Sequence, residues 1–302
     1  MIKVFSILFL FLLVAIPMGT ADASTGDGLA MLKNSHTARA GAMGVAVVSL
    51  SADPNLIAYN PAAAAGLDRF TASFGHTEHW ENIRFESGHF GYGIYPKLYL
   101  HGGIRYATDG EIEQRDSPSE EPIGYFDAND FSAKIGAAYM LDSQWTAGVA
   151  FGWWFEEIAG WRGSSFNVDL GIQYQATDKL SLGASAIGIG PNMTLERTGQ
   201  VGSREVTLPT TYSVGGSYRA HEYALVAGDL VIQDDEAHGH LGIESDLHEI
   251  FSLRAGYMLG YDSRDFSAGA AFRKWNITVD YAFVPFSNNL GSSHLFNLTF
   301  SL

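Results

Sequence analysis

The 302-residue chain contains no cysteine, which excludes a disulfide framework, a thiolate zinc site and a cysteine nucleophile. It is also poor in charge, at 17% of residues against roughly 25% in an average soluble domain. Cations are scarcest, with 18 Lys and Arg against 33 Asp and Glu, and the net charge of −15 repels phosphate, so nucleic acid is excluded as a partner. With 46% hydrophobic residues the chain is not a disordered acidic tail. No Gly-x-Ser-x-Gly elbow, no Gly-x-x-x-x-Gly-Lys loop and no His-Glu-x-x-His helix is present, so the expectation is a non-enzymatic protein without cofactor or metal. Long apolar runs are missing as well, with one exception at the start.

That exception reads as a signal peptide. Lys3 gives a positive n-region, Val4 to Ile16 is an almost unbroken apolar run, and Ala21-Asp22-Ala23 supplies the small residues of a cleavage site. The run is about 13 residues where a spanning helix needs roughly 20. Export with cleavage after Ala23 follows, and a protein that then sits in a membrane must cross it with strands.

Beyond about Arg69 the dominant signal is period two, which sends alternate side chains to opposite faces of a strand. Trp275, Ile277, Val279, Tyr281 and Phe283 share one face, and Asn276, Thr278 and Asp280 the other. Phe296, Leu298, Phe300 and Leu302 alternate likewise with Asn297, Thr299 and Ser301. Such segments predict fourteen strands, at 68–77, 82–94, 98–107, 128–140, 143–156, 163–175, 179–190, 209–219, 222–233, 238–247, 250–260, 264–272, 274–285 and 292–302. Tight turns near 96–97, 141–142, 177–178, 220–221, 248–249 and 273 alternate with longer loops, the longest at 108–127 and 191–208. Short turns, longer external loops, an apolar outer band, a polar interior and an even strand number define a transmembrane β-barrel. A soluble β-sandwich also alternates, but its strands average five to six residues. Here they run near ten, with aromatics such as Trp145, Trp153, Trp154, Tyr281 and Phe283 near their ends, as at lipid headgroups. The fold class is therefore all-β, an antiparallel transmembrane barrel in the outer membrane of a Gram-negative-type bacterium, with outer-membrane lipid around it.

Two strands lose phase midway. Ile83 and Phe85 give way to Phe90, Tyr92 and Ile94 across Gly88, and Tyr223 and Leu225 give way to Leu230 and Ile232 across Gly228. A glycine-centred bulge at each would restore one outer face, so Gly88 and Gly228 are candidate wall kinks, the sharper reading being a lateral window. Arg84, Glu86, Arg105, Lys134, Asp169, Arg254 and Asp280 fall in lumen-facing phase. Their mixed signs suit a plugged barrel, because an open ion pore favours one dominant sign. His238 and His240, in phase with Glu244, Asp246 and His248, form a row that suits either a metal or a polar lumen stripe, and His76, Glu78 and His79 near the first external loop read as solvated.

Residues 24–66 break the pattern, being rich in Ala and Gly, and read as a compact plug, or hatch, with short helices inside the 67–302 barrel. Asp53 before Pro54 suits a helix cap followed by Pro at the first position, with Pro61 ending that helix. The run from Arg39 through Asn60-Pro61-Ala62 resembles the N-terminal signature of the PorV/PorQ family, grouped with the FadL-like outer-membrane transport barrels. The ending Asp280-Tyr281-Ala282-Phe283-Val284-Pro285-Phe286, then Leu290 to His294, resembles that family's last hairpin. The resemblance implies a fourteen-stranded barrel whose hatch, containing Asn60, Pro61 and Ala62, occludes the lumen. Together with Arg39, Gly44 and Asp53 these are the candidate hatch residues. It further implies transport of a hydrophobic small molecule, or alternatively a type IX secretion accessory that binds secreted proteins or secretion components.

Overall fold

The structure is a computed structural model that describes residues 35, 37–68, 70–79, 83–115, 117–118, 121–199 and 201–302. The expected signal peptide, 1–23, and the first part of the expected hatch, 24–34, lie outside the described residues.

Seven strands run from the N-terminal side: β1 Thr71–Glu78, β2 Arg84–Tyr95, β3 Leu98–Gln114, β4 Gly124–Met140, β5 Trp145–Ile158, β6 Trp161–Thr177 and β7 Leu180–Ile189. A short hairpin follows, β8 Met193–Arg197 and β9 Ser203–Val206. Seven more strands complete the chain: β10 Thr211–His221, β11 Ala224–Gln233, β12 Glu236–His248, β13 Phe251–Leu259, β14 Phe266–Lys274, β15 Ile277–Phe286 and β16 Gly291–Ser301. Every barrel strand pairs antiparallel with its neighbour, β7 pairs directly with β10, and β1 closes on β16 from Thr71↔Ser301 to Glu78↔His294. The result is a closed fourteen-stranded barrel, and the β8–β9 hairpin hangs from β6 through Trp161↔Arg197 and Arg162↔Glu196.

Closure leaves no sheet edge, and the outward residues form an apolar belt that includes Phe151 (63% exposed) and Phe166 (71%). Such a surface is stable only in lipid, where a closed ladder satisfies every backbone group. Most inward residues are polar or small, with Asp130, Asp169, Arg254 and Asp280 all buried.

The structure alters four details of the sequence reading. First, β3 and β4 run past the expected ends, with Ile112↔Phe126 and Glu113↔Tyr125 paired, so most of the loop expected at 108–127 is hairpin. Pairing continues there beyond the apolar band, where lipid no longer demands an apolar face. Second, the loop expected at 191–208 contains β8 and β9. Third, two connections on the longer-loop side are tight: Ala159-Gly160 and Asp234-Asp235 carry consecutive positive φ of 50° and 79°, and of 53° and 63°. Two such residues in a row are the mark of a type I′ hairpin turn.

The fourth concerns phase. Register is unbroken through Gly88 against both β1 and β3, and through Gly228 against both β10 and β12, so neither glycine forms the expected bulge. Phe85 and Leu225 simply face inward, and Arg84 and Glu86, expected in the lumen, face outward. The reason is what fills the barrel. Leu225 and Ala227 pack on Met43, Val47, Leu50 and Leu56 of the plug, and Phe85 packs on Trp154, Met193, Leu195 and Leu208. An inward apolar side chain is at home where protein, not water, lies inside. For the same reason Trp154, read as part of a lipid-facing girdle, is buried at 2% exposure while its neighbour Trp153 faces out.

Candidate functional site

The plug consists of helix α1, Ala38–Ala42, and two 3-10 turns, Pro54–Ala58 and Pro61–Ala64, joined by irregular backbone. Asp53 accepts from Asn55 N, and Asn60 accepts from Ala62 N, so each Pro opens a turn behind its own cap and Pro61 begins a helix instead of ending one. Irregular backbone buried in a lumen needs hydrogen-bond partners, and the wall provides them. Asn297 Oδ1 accepts from Ala38 N at 2.6 Å, Asp229 Oδ2 accepts from Val47 N and Val48 N at 2.6 and 2.9 Å, and Gln173 donates to Leu50 O at 2.7 Å.

Close approach is what makes this possible. A Cβ on Gly171 would lie 1.9 Å from Asn60 Oδ1, one on Gly148 would lie 2.3 Å from Ala62 N, and one on Gly256 would lie 2.0 Å from Gly44 N. Gly44 itself holds φ +60°, and its N–H reaches Ser267 Oγ at 3.1 Å. Asn60 also donates to Val48 O at 2.7 Å and is wholly buried, which makes it the joint between two stretches of plug.

Arg39 ties the plug to β12. Its guanidinium donates twice to Glu244, at 2.8 and 3.0 Å, and once to Asp53 at 3.1 Å. Glu244 also accepts from Arg254 at 2.6 Å, and Arg254 donates to Asp280 at 2.5 Å. Burial opposes the Arg39 charge, and the coulombic pull of Glu244 and Asp53 outweighs it, so the guanidinium is held above its ordinary value. Of the expected metal row, Glu244 is thus spent on two arginines, His238 meets Gly260 O at 3.0 Å and Asp246 takes Ser252 and Arg273.

Above the plug lies a cavity of about 140 Å³, floored by Val45, Val48 and Ile57 and walled by Trp154, Arg105 and Lys134. His240, Tyr261 and Arg264 stand at the longer-loop side of it. His240 meets Tyr261 OH at 2.9 Å, the rings of His238 and Tyr261 stack at 3.9 Å, and the Arg264 guanidinium sits 4.1 Å over Tyr261. Burial, ahead of the opposing effect of Arg264, raises the Tyr261 phenol above its ordinary value.

A second hollow of about 670 Å³ opens on the outer wall beside Gly88, bordered by Phe74, Ile104, Phe131 and Phe296. Ile104 and Arg105 border both hollows, so β3 is the partition between them. His76 and Glu86, 2.7 Å apart, mark the outer rim. The structure therefore brings Arg39, Asp53, Asn60, Pro61, Ala62 and Gly44 together in the plug and leaves Gly88 and Gly228 in the wall. Sequence reading missed Asp229, Trp154 and Tyr261. The signal for Asp229 was present, because a lone acid among Leu225 to Ile232 marks the inward parity directly.

No protein-family profile matches the chain, and no curated protein is similar to it in sequence. Solved structures are similar to it in fold. The fold is similar to that of the toluene transporter TbuX of Ralstonia pickettii, at 13% identity and TM-score 0.61 over 87% of this chain and 96% of that one. It is similar to the toluene transporter TodX of Pseudomonas putida, at 13% identity and TM-score 0.60 over 92% and 98%. A FadL homologue of Pseudomonas aeruginosa gives 9% identity and TM-score 0.57 over 88% and 98%. At these identities the likeness is one of fold alone.

Proposed function

We infer that this barrel is a non-enzymatic transporter of a hydrophobic small molecule, exported by its leader to the outer membrane and of PorV/PorQ type within the FadL-like barrels. The ligand collects in the cavity above the hatch and passes inward when the hatch is displaced. One observation carries the reading: Val45, Val48 and Ile57 of the hatch are the apolar floor of the cavity, so the stopper of the lumen is also part of the ligand's berth. The cavity volume is close to the ~150 Å³ of an apolar protein cavity that takes benzene, and the neighbouring barrels named above transport toluene. The finer PorV/PorQ assignment rests on the Arg39 to Ala62 run and the closing hairpin.

The hollow beside Gly88 favours a second route, sideways across β3 into the lipid, and one experiment separates the two. A Cβ on Gly41 would lie 3.7 Å from that of Ala282, within the ~3.5–4.5 Å span of a disulfide. The chain has no other cysteine to interfere. In intact cells with an unbroken outer membrane, oxidised Gly41→Cys/Ala282→Cys barrel is expected to stop uptake of labelled toluene, and reduction to restore it. Uptake unchanged by oxidation overturns hatch displacement and favours the lateral route. Uptake no greater than in cells without the barrel, even after reduction, overturns transport itself.

A further inference from the structure

Trp154 stands between two apolar spaces. It borders the cavity above the plug. It also packs with Met193 and Leu195 of the β8–β9 hairpin, with Leu208 just after that hairpin and with Phe85 of β2. Among the described residues none of these four borders the cavity. The same dividing line runs through two further strands. On β2, His89 borders the cavity, and Phe85, nearer the longer loops, belongs to the cluster with the hairpin. On β3 the same holds for Arg105 and Ala107. The indole is thus a partition between the cavity and an apolar core on its loop side.

The partition is braced on several sides. Ser132 of β4 and Ser165 of β6 stand opposite Trp154 in the two flanking ladders, and their small side chains leave room for an indole. Gly188, at φ +82°, receives the edge of the ring: a Cβ there would lie 2.8 Å from Trp154 Cη2. Lys134 Nζ sits 5.3 Å from the ring centroid, within cation–π range. Asp169 holds both of these neighbours, since its Oδ2 takes Lys134 at 2.5 Å and its Oδ1 accepts from Gly188 N at 2.8 Å. The indole Nε1–H has no hydrogen-bond partner among the described residues, so what the side chain supplies here is bulk at a fixed place.

We propose that Trp154 is the specificity-determining residue that sets the length of the ligand. It stops the cavity at about 140 Å³ and keeps longer alkyl chains out of the apolar core behind it. The inference rests on the cavity being the ligand's berth, as argued above, and adds what limits it. Met193, Leu195 and Leu208 are 0%, 3% and 4% exposed, so a chain atom that passed the partition would enter a dry space and gain the ordinary free energy of apolar burial.

The test is ¹⁹F NMR titration of the full-length barrel with 4-fluorotoluene, 1-fluoro-4-propylbenzene and 1-fluoro-4-hexylbenzene. Parent and variants are compared at one detergent concentration, so that partition into micelles is common to all. For Trp154→Ala, the ratio of variant to parent affinity is expected not to rise for 4-fluorotoluene. Along the series it should grow by about fourfold for each methylene taken up by the opened space, and exceed ~tenfold for the hexyl compound. Leu208→Ala hollows the core behind the partition without opening it, and its ratio is expected to stay flat along the series. Trp154→Leu, which keeps an apolar side chain in the cluster, takes the place of the alanine variant if that does not fold, with the same trend expected. A flat ratio in the folded Trp154 variant, or an equally steep rise in Leu208→Ala, overturns the partition and leaves the transport reading in place. If none of the three probes binds parent or variant, the cavity is no berth and both readings fall.

Discussion

The two sides of the barrel interior use buried charge in opposite ways. On β12 to β15, Glu244, Arg254 and Asp280 are closed on Arg39 of the hatch, and every one of these charges has an ionic partner within 3.1 Å. On β2 to β4, Arg105, Lys134, His89 and His101 border an open void. The first side has inward glycines pressed against hatch backbone; the second has glycines that give room to imidazole rings. Charge on β12 to β15 thus fastens the plug, whereas on β2 to β4 it lines the space that the plug leaves.

Breaking the fastening side should have the largest effect. Glu244→Gln leaves Arg39 and Arg254 buried without their shared carboxylate, at a cost of about 3–5 kcal/mol. Hydrogen exchange of the 37–67 amides should accelerate strongly, with the barrel strands still protected. Equal protection in variant and parent would mean that the network does not hold the hatch. Gly256→Ala sharpens the same comparison with a methyl group alone. It puts a Cβ where Gly44 N now lies 2.0 Å away, so the hatch must shift, at about 1–3 kcal/mol. A lowered melting temperature of hatch contacts, read from near-UV signals, would check it.

The smallest effect concerns pH. His79 sits between Phe85 and Phe286, with a hydrogen bond to Ser293. Burial first, and Arg264 second, lower it to about 4. The unfolded chain takes up the proton near 6.5, so the docking of His79 is at full strength above that value and is lost as pH falls toward about 4. After screening by solvent the change is about 1 kcal/mol. Imidazole NMR signals of His79 should stay in the neutral form at pH 5.5, and protonation there would contradict the packing.

The stripes at 277–283 and 296–302 made the barrel legible because lipid outside and polar groups inside impose alternation residue by residue. The same rule misread Phe85 and Leu225. Hydrophobicity reports dryness, and a hatch is as dry as lipid, so parity alone cannot tell which side an apolar residue faces. Asp229 carried the missing information, since an acid in mid-strand must look inward. The pairing of Arg39 with Glu244 was out of reach for a different reason: 205 residues separate them, and only closure of the sheet brings them together.

That closure also has a grip built into it. The seam joins the first strand to the last, and Asn297 of that last strand holds Ala38 N and reaches Asn55 within the hatch. The first described stretch of the chain lies inside, and the last strand encloses it and carries its own grip on it. The strand that seals the tube is thus also one that clasps its contents, so seam and stopper hold one another.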